Sequence, residues 1–573
     1  DDFYLELEPV GRLDIVAQLS KRALDYYDAL PAELRNDETN RNRALALVRY
    51  GAVLRTQNKL DESGKALAEA VGVLGKLRSE GDRSEATAIG LAIGLMSRAR
   101  VRDSLNERKE AQELAVEAVS VLKPMMTAPR PSVALRRAYG ATLNYLGYAQ
   151  LTGDREEAAV KTLEEARVAY RSIDGLKLDD APAAAAYTEA TAWQLSAFQA
   201  LGMTDETRRI GEDAVKVADQ VLERQPNHMG AMRARGLIFQ SLGEAEFDDL
   251  HLAKAVSWFR DSARDWDAIV RIDPSNQISW NNLSNSKSSE GFALFRMGRI
   301  ADAREQYRAA RAVEQRVNMS AFLARTLSFP AGGLVVLEAD LGETKAAQAA
   351  LAENTRLTDL AARGLPADSF GPFLLHEFAQ QQFGYALPAA AGDFQTVRRT
   401  AQAAIGRIER RKTEDSSQEL NRVKLLVSTA YVLADACYRL QDYVAAEKAI
   451  TVAIDNRQLV PRRTTQDARD ASDEQMLAAM IAARQQRYPD AERLIEPVVK
   501  LHRGLYARAS DDAGQHVQFA RALYVSALAS PRRQAAALAE AATILDRLPP
   551  AMQKMISVAR LRGWIGEEQR RGR

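Results

Sequence analysis

The chain has 573 residues, 46% hydrophobic and 27% charged, the balance of a folded globular protein. Its 78 basic and 77 acidic side chains leave a net charge of +1. That excludes the positive excess a dedicated nucleic-acid or anionic-membrane surface needs, so neither partner is expected. The single cysteine, Cys437, excludes an internal disulfide and fits a reducing cytoplasm. No run of about 18 apolar residues predicts membrane insertion, and no signal peptide is evident.

The chain opens at Asp1-Asp2-Phe3 rather than at Met and reads as a portion of a longer protein. Residues 1–32 are expected to form a lead-in. Its amphipathic helix runs from Leu13 to Leu30, with Leu13, Val16, Leu19, Ala23, Tyr27 and Leu30 on one face and Pro31 ending it. From residue 33 to 363 strand signals are nearly absent. Ala, Leu, Glu, Arg and Gln recur at helical spacing, and Gly, Asp, Asn or Pro interrupts them roughly every 12 to 20 residues. Short helices with short breaks predict antiparallel neighbours.

One set of small and large residues repeats through this stretch. It reads Tyr50, Gly51, Leu54, Ser63, Leu67, Ala70; then Leu143, Leu146, Gly147, Gln150, Ala159, Leu163, Ala166; then Gly291, Leu294, Gly298, Ala303, Tyr307, Ala310. Weaker units occupy 85–122 and 191–222, Gly236 to Phe259, and Gly342 to Leu351. Residues 364–372 hold Gly364, Pro366, Gly371 and Pro372 and are expected to be a hinge. Lesser breaks fall at Pro129 and Pro131, and at Pro461 to Arg463.

The pattern resumes over 373–550 as Leu433, Ala434, Cys437, Ala446, Ile450, Ala453, then Ala479, Ala482, Ala491, Ile495, Val498, then a degenerate unit at 517–548. Cys437 reads as a small buried hydrophobe of this pattern. Residues 551–573 predict a capping helix, Met552 to Ile565, with a basic tail from Arg570 to Arg573. Tight turns are expected at Asn58 to Asp61, Gly153-Asp154, Gly392-Asp393-Phe394 and Gln441-Asp442-Tyr443. There Gly or Asn would take left-handed angles and Asp would cap the next helix.

In each unit a small residue is followed twelve positions on by another, four later by a large apolar one, and three later by a compact one. This offset resembles the tetratricopeptide repeat. The resemblance implies an all-α fold: a tetratricopeptide-like α-solenoid of about ten helical hairpins wound into a superhelix, whose first (A) helices line a concave surface. The sequence departs from the family in mostly lacking the closing proline, of which Asp273-Pro274 is the best surviving example. Large residues also stand at several positions where Ala is usual.

Catalytic motifs are absent. There is no phosphate-binding loop, dinucleotide fingerprint or nucleophile elbow. The five histidines, His228, His251, His376, His502 and His516, show no metal-ligand spacing. No cofactor, metal or enzymatic activity is expected. The pairs Asp179-Asp180, Asp248-Asp249 and Asp511-Asp512 read as helix caps.

The segment Trp280-Asn281-Asn282-Leu283-Ser284-Asn285 carries more Asn and Ser than an ordinary helix surface. Counted from Gly291, the resemblance places Asn285, Ser288, Phe292, Phe295 and Arg296 in the groove, with Trp280 and Asn281 alongside. The same count at Ala434 gives Ser428, Tyr431, Asp435, Tyr438 and Arg439. Asn offers a donor and an acceptor to a peptide backbone, and aromatic residues with Arg suit a binding surface. In the competing reading these Asn residues only cap or bridge helices. The family's carboxylate clamp is not reproduced at Val48, Ala52, Asn144 and Tyr148.

The expected function is thus a non-catalytic scaffold holding a protein or peptide partner in its groove. Residues Leu7 to Asp14, Arg22 to Tyr27 and Leu30-Pro31 resemble segments leading into the C-terminal repeat arrays of large bacterial signalling and defence proteins. That likeness implies a sensor array with an effector domain N-terminal to it in the same polypeptide. The alternative is a regulator sensing a small molecule or oligopeptide in a pocket inside the solenoid, with Trp258, Trp266 and Trp280 as candidate walls.

Overall fold

A computed structural model of the chain describes residues 13–56, 59–105, 107–153, 155–173, 180–461, 463–530 and 534–571. Residues 1–12, Asn58, Asp154, Asp179, Arg462 and 572–573, which carry parts of the expected lead-in, turns, caps and tail, lie outside them, as do the side chains of Leu13 and Val16. The described residues contain helices and no strand.

The chain divides into two compact units, residues 1–242 with 264–273 and residues 243–263 with 274–573. The segment expected as a hinge, 364–372, falls inside the second unit. There Gly364 ends one helix and Ser369 precedes the next.

The first unit begins with α1 (Leu13–Asp28), which packs on α2 (Asp37–Thr56). Its inward face is turned from the expected one: Leu24 is buried and Leu19 is 47% exposed. Hairpins follow in chain order: α2 with α3 (Leu60–Ser79), α4 (Glu85–Ser104) with α5 (Arg108–Leu122), α6 (Val133–Thr152) with α7 (Glu156–Arg171), and α8 (Ala181–Ala200) with α9 (Thr204–Arg224). Then come α10 (Met229–Asp248) and α11 (Leu252–Ile272), along which the division between units falls.

The second unit continues with α12 (Gln277–Arg296) and α13 (Ile300–Arg311), then α14 (Ala321–Asp340) and α15 (Thr344–Arg363). The next A helix is broken into α16 (Phe370–Ala379), a π-helical stretch (Gln380–Gly384) and α17 (Ala386–Ala390), and it pairs with α18 (Phe394–Arg410). The last hairpins join α19 (Ser416–Arg439) to α20 (Tyr443–Arg457), α21 (Thr465–Arg484) to α22 (Tyr488–Arg508), and α23 (Ala513–Ala529) to α24 (Gln534–Asp546). After a short α25 (Pro550–Gln553) the chain ends in α26 (Ile556–Arg571). The molecule is an all-α, tetratricopeptide-like α-solenoid.

Close approach of helices explains the repeating offset. A Cβ on Gly51 would lie 2.6 Å from Leu67, and one on Gly147 would lie 2.4 Å from Leu163. In the second unit a Cβ on Gly243 would lie 2.5 Å from Phe259, and one on Gly291 would lie 3.0 Å from Tyr307. The large residue of helix B fills the space that the small residue of helix A leaves open. Cys437 takes a small position in this scheme and is buried.

Seven of the turns within hairpins share one geometry. Gly202, Gly298, Gly342 and Gly392 hold φ of 73, 78, 78 and 77°. The following residue donates its N–H to a carbonyl near the end of helix A, as Arg299 does to Leu294 and Asp393 to Pro388. This is a Schellman closure. Leu250, Gln441 and Gln486 hold φ of 67, 62 and 64° at the same place without being glycine. Asp393 and Asp442 cap α18 and α20 as expected. Gly153, with φ −101°, does not adopt the left-handed angle expected of it. Asp61 lies in the first turn of α3, where an acidic side chain suits the helix dipole, rather than capping it.

By length and composition α14 could cross a membrane. It is instead the A helix of a hairpin, packed against α15 and flanked by α12 and α13.

Candidate functional site

Within the second unit the A helices pack in sequence. The helix α12 lies on α14, α14 on α17, α16 on α19, α19 on α21 and α21 on α23, and α23 returns to α12. The closure is sealed by charge. Arg296, at the end of α12, forms a buried ion pair with Asp512, the N-cap of α23. The Asp248 carboxylate accepts the N–H groups of Thr465 at 3.2 Å and Gln466 at 3.3 Å at the start of α21. Asp511 accepts from Ala253 N at 2.7 Å. Carboxylates at helix N-termini satisfy orphan donors and complement the dipole.

On α12 the sequence-predicted residues separate by face. Asn285 and Phe292 are exposed and Ser288 is half-buried between them, a spacing that puts all three on one side of the helix. The ring of Phe292, 49% exposed, lies 5.2 Å from that of Phe247. Phe295 packs half-buried on the core. Arg296 is buried, with its guanidinium 4.7 Å over the Phe247 ring. Burial, reinforced by nearby Arg469, pulls it down to about 10 against the pull of Asp512. Its charge holds the ring of helices closed. Asn281 is buried with no partner for its Oδ1 among the described residues, and Trp280 donates its indole N–H to Pro274 O at 2.9 Å.

The α19 set is engaged by the chain itself. The Tyr431 hydroxyl accepts from Arg521 at 3.0 Å. Burial pushes that phenol up to about 12, and Arg521 opposes the shift. Asp435 receives Arg439 at 3.2 Å, and Arg439 stacks 4.2 Å over the Trp564 ring of α26. Tyr438 accepts from Arg484 at 3.3 Å, and Arg484 reaches Glu568 at 3.1 Å. The helix α23 links the two sets, through Asp512 to Arg296 and through Arg521 to Tyr431. Of the α12 set Asn285 and Phe292 present open side chains, and the α19 set is engaged by side chains of α21, α23 and α26.

The C-terminal helix crosses the ends of several A helices. Asp340, ending α14, accepts Ser557 N at 2.7 Å and Ser557 Oγ at 2.6 Å, capping α26. Arg560 donates to Ala389 O at 3.3 Å at the end of α17, and Trp564 stacks on Tyr524 at 5.8 Å.

The sequence reading passed over α14. Phe322 and Phe329 stand 58% and 45% exposed on it, seven residues apart on one side, and Phe329 meets Phe378 edge-on at 6.0 Å. The signal was present as two aromatics two turns apart flanking Arg325, and it was masked because the whole helix is apolar.

Ser472 Oγ lies 2.8 Å from His502 Nε2, and His502 Nδ1 lies 2.9 Å from Gln515 Nε2. All three side chains are buried, and the serine donates its proton to Arg469 O at 2.6 Å. Ser472 is thus committed to the backbone of α21, and His502 is a buried structural group. Of the candidate tryptophans, Trp266 is buried against Gly236, while Trp258 and Trp280 are half-buried. Among the described residues no group of three or more His, Cys, Asp or Glu is placed to hold a metal.

No protein-family model matches the chain, and no curated protein matches its sequence. Several solved structures are similar to it at low identity. A monomeric mutant of IFIT1 with Gppp-AAAA is 12% identical with a TM-score of 0.39, covering 89% of this chain and 94% of that one. A Rap protein complexed with Competence and Sporulation Factor is 10% identical with a TM-score of 0.40, covering 76% and 99%. The S. pombe nuclear import adaptor Nro1 is 13% identical with a TM-score of 0.35, covering 51% and 99%.

Proposed function

We propose that this α-solenoid is a protein-binding scaffold whose second unit holds an extended peptide segment on the exposed faces of α12 and α14. The observation that carries the reading is the exposure of Asn285 and Phe292 on α12, with Ser288 half-buried between them, and of Phe322 and Phe329 on α14, two A helices in contact. Large exposed aromatics supply apolar anchors, and the Asn285 amide can both donate to and accept from a peptide backbone. Tyr431, Asp435, Tyr438 and Arg439 are held by contacts within the unit and stay outside this surface.

The test is selection of random peptides against the purified chain, with the variant Asn285→Ala/Phe292→Ala/Phe329→Ala beside it. Peptides that bind the wild type and lose about 10-fold or more in affinity on the variant support the reading, because each anchor lost costs about 1 to 2 kcal/mol. Peptides that bind both equally overturn it.

The same reading makes the array the partner-recognition part of a larger bacterial signalling or defence protein, with an effector domain on its N-terminal side. It rests on the likeness of residues 7–31 to segments leading into such arrays. The reading frame upstream of Asp1 decides it: an effector domain there supports the proposal, and a start codon immediately before Asp1 removes it.

A further inference from the structure

In the first unit α7, α8 and α9 line a half-open cavity of about 560 Å³. Its charges do not balance. Arg167 of α7 is 5% exposed and donates to Glu164 at 2.6 Å, to Gln194 Oε1 at 2.8 Å and to the Tyr187 hydroxyl at 2.8 Å. Arg171, one turn later, donates to the same hydroxyl at 2.8 Å. Both guanidiniums lie over the Tyr187 ring, at 5.1 and 5.5 Å.

A phenol oxygen accepts both donors but neutralises neither charge, and Glu164 answers only Arg167. Asp213, on the α9 wall, is paired with Lys216 at 2.9 Å. Arg209, on the same wall, forms no hydrogen bond or ion pair among the described residues. Arg171 and Arg209 therefore face one cavity with no carboxylate within ion-pair distance among the described residues, Glu164 and Asp213 being paired with Arg167 and Lys216. Ile210 and Val217 supply an apolar wall beside them.

Guanidinium forks match the geometry of phosphate oxygens, and a concave site strengthens their hold on a doubly charged group. We infer that this cavity binds a small phosphate monoester, with its phosphoryl group between Arg171 and Arg209 and its organic body on the Ile210 and Val217 side. The site lies in the first unit, so its test and that of the peptide surface are separate.

The probe is phenyl phosphate, titrated into the full chain by calorimetry, with phenol as the uncharged control. The expected result is saturable binding by phenyl phosphate, none by phenol, and a loss of about 10-fold or more in affinity in Arg209→Gln, because a charge-assisted contact to the phosphoryl oxygens is lost. Arg209 is exposed and has no partner among the described residues, so this variant keeps the fold. Arg171→Gln should weaken binding to a similar degree, while Arg493→Gln, on the exposed surface of the second unit, binds as wild type. No saturable binding at concentrations on the order of 10 mM, undiminished binding in Arg209→Gln, or equal binding of phenol each overturns the inference.

Discussion

Asp512 serves two masters in α23: its Oδ1 caps the helix by accepting Gln515 N at 2.9 Å, while Oδ2 receives the guanidinium of Arg296 from the far end of α12. Both residues are buried, so neither charge can turn to water if the other is lost. Asp512→Asn keeps the shape of the cap but leaves Arg296 as a buried, uncompensated cation. We expect it to destabilise the second unit by about 3 to 5 kcal/mol. Urea melts followed by circular dichroism check this, and an unchanged midpoint would show that the pair is solvated.

His502 makes stability pH-dependent. Burial lowers its pKa to about 4, and Arg469 and Arg521 add to the effect. The folded chain keeps the imidazole neutral while the unfolded chain protonates it near its ordinary value of about 6.5. Between those two values the unfolded state binds more protons, so stability falls as pH falls, and below the folded value the loss levels off. From this group alone the loss between pH 7.5 and pH 5 is about 2 kcal/mol. Denaturation midpoints across that range, compared with those of His502→Gln, isolate the contribution: the variant's slope should be flatter.

Gln486 and Gln441 occupy left-handed turn positions that four other hairpins give to glycine. A side chain there costs about 1 kcal/mol or more, partly offset by the greater freedom glycine loses on folding. Gln486→Gly should raise stability by about 0.5 to 1 kcal/mol, read as a higher melting temperature. A drop would show that the glutamine side chain contributes contacts of its own.

Two glycines of the first unit should respond in opposite directions. A Cβ on Gly147 meets Leu163, so Gly147→Ala forces A and B helices apart and costs about 1 to 3 kcal/mol. A Cβ on Gly72 meets nothing within 4 Å, and Gly72→Ala should stabilise α3 by about 0.5 to 1 kcal/mol. Paired thermal melts decide the sign of each.

The repeat was legible because helix-to-helix distance is set by one contact, small residue against large. Gly51, Gly147 and Gly291 mark it in the sequence, and the structure places Leu67, Leu163 and Tyr307 against them. Turns with glycine at the left-handed position could be read; those at Leu250, Gln441 and Gln486 could not, because surrounding packing imposes an angle that the residue type does not announce. Groove positions counted from a repeat assume an open concave face. Asn285 and Phe292 are exposed, as a surface position requires. Arg296 and Tyr431 meet residues far along the chain, Asp512 and Arg521, and no local spacing encodes such a meeting.

The return of α23 to α12 changes how damage spreads. In a linear stack each hairpin depends on two neighbours, and trimming the last one leaves the first untouched. Here α12 leans on α23, and Asp340 of α14 holds the start of α26. A cut at residue 510 would therefore strip partners from both α12 and α14 at once. The second unit behaves as a loop without a spare end: it should melt in one cooperative step, and C-terminal deletions should be felt first at its oldest helices as the chain emerges.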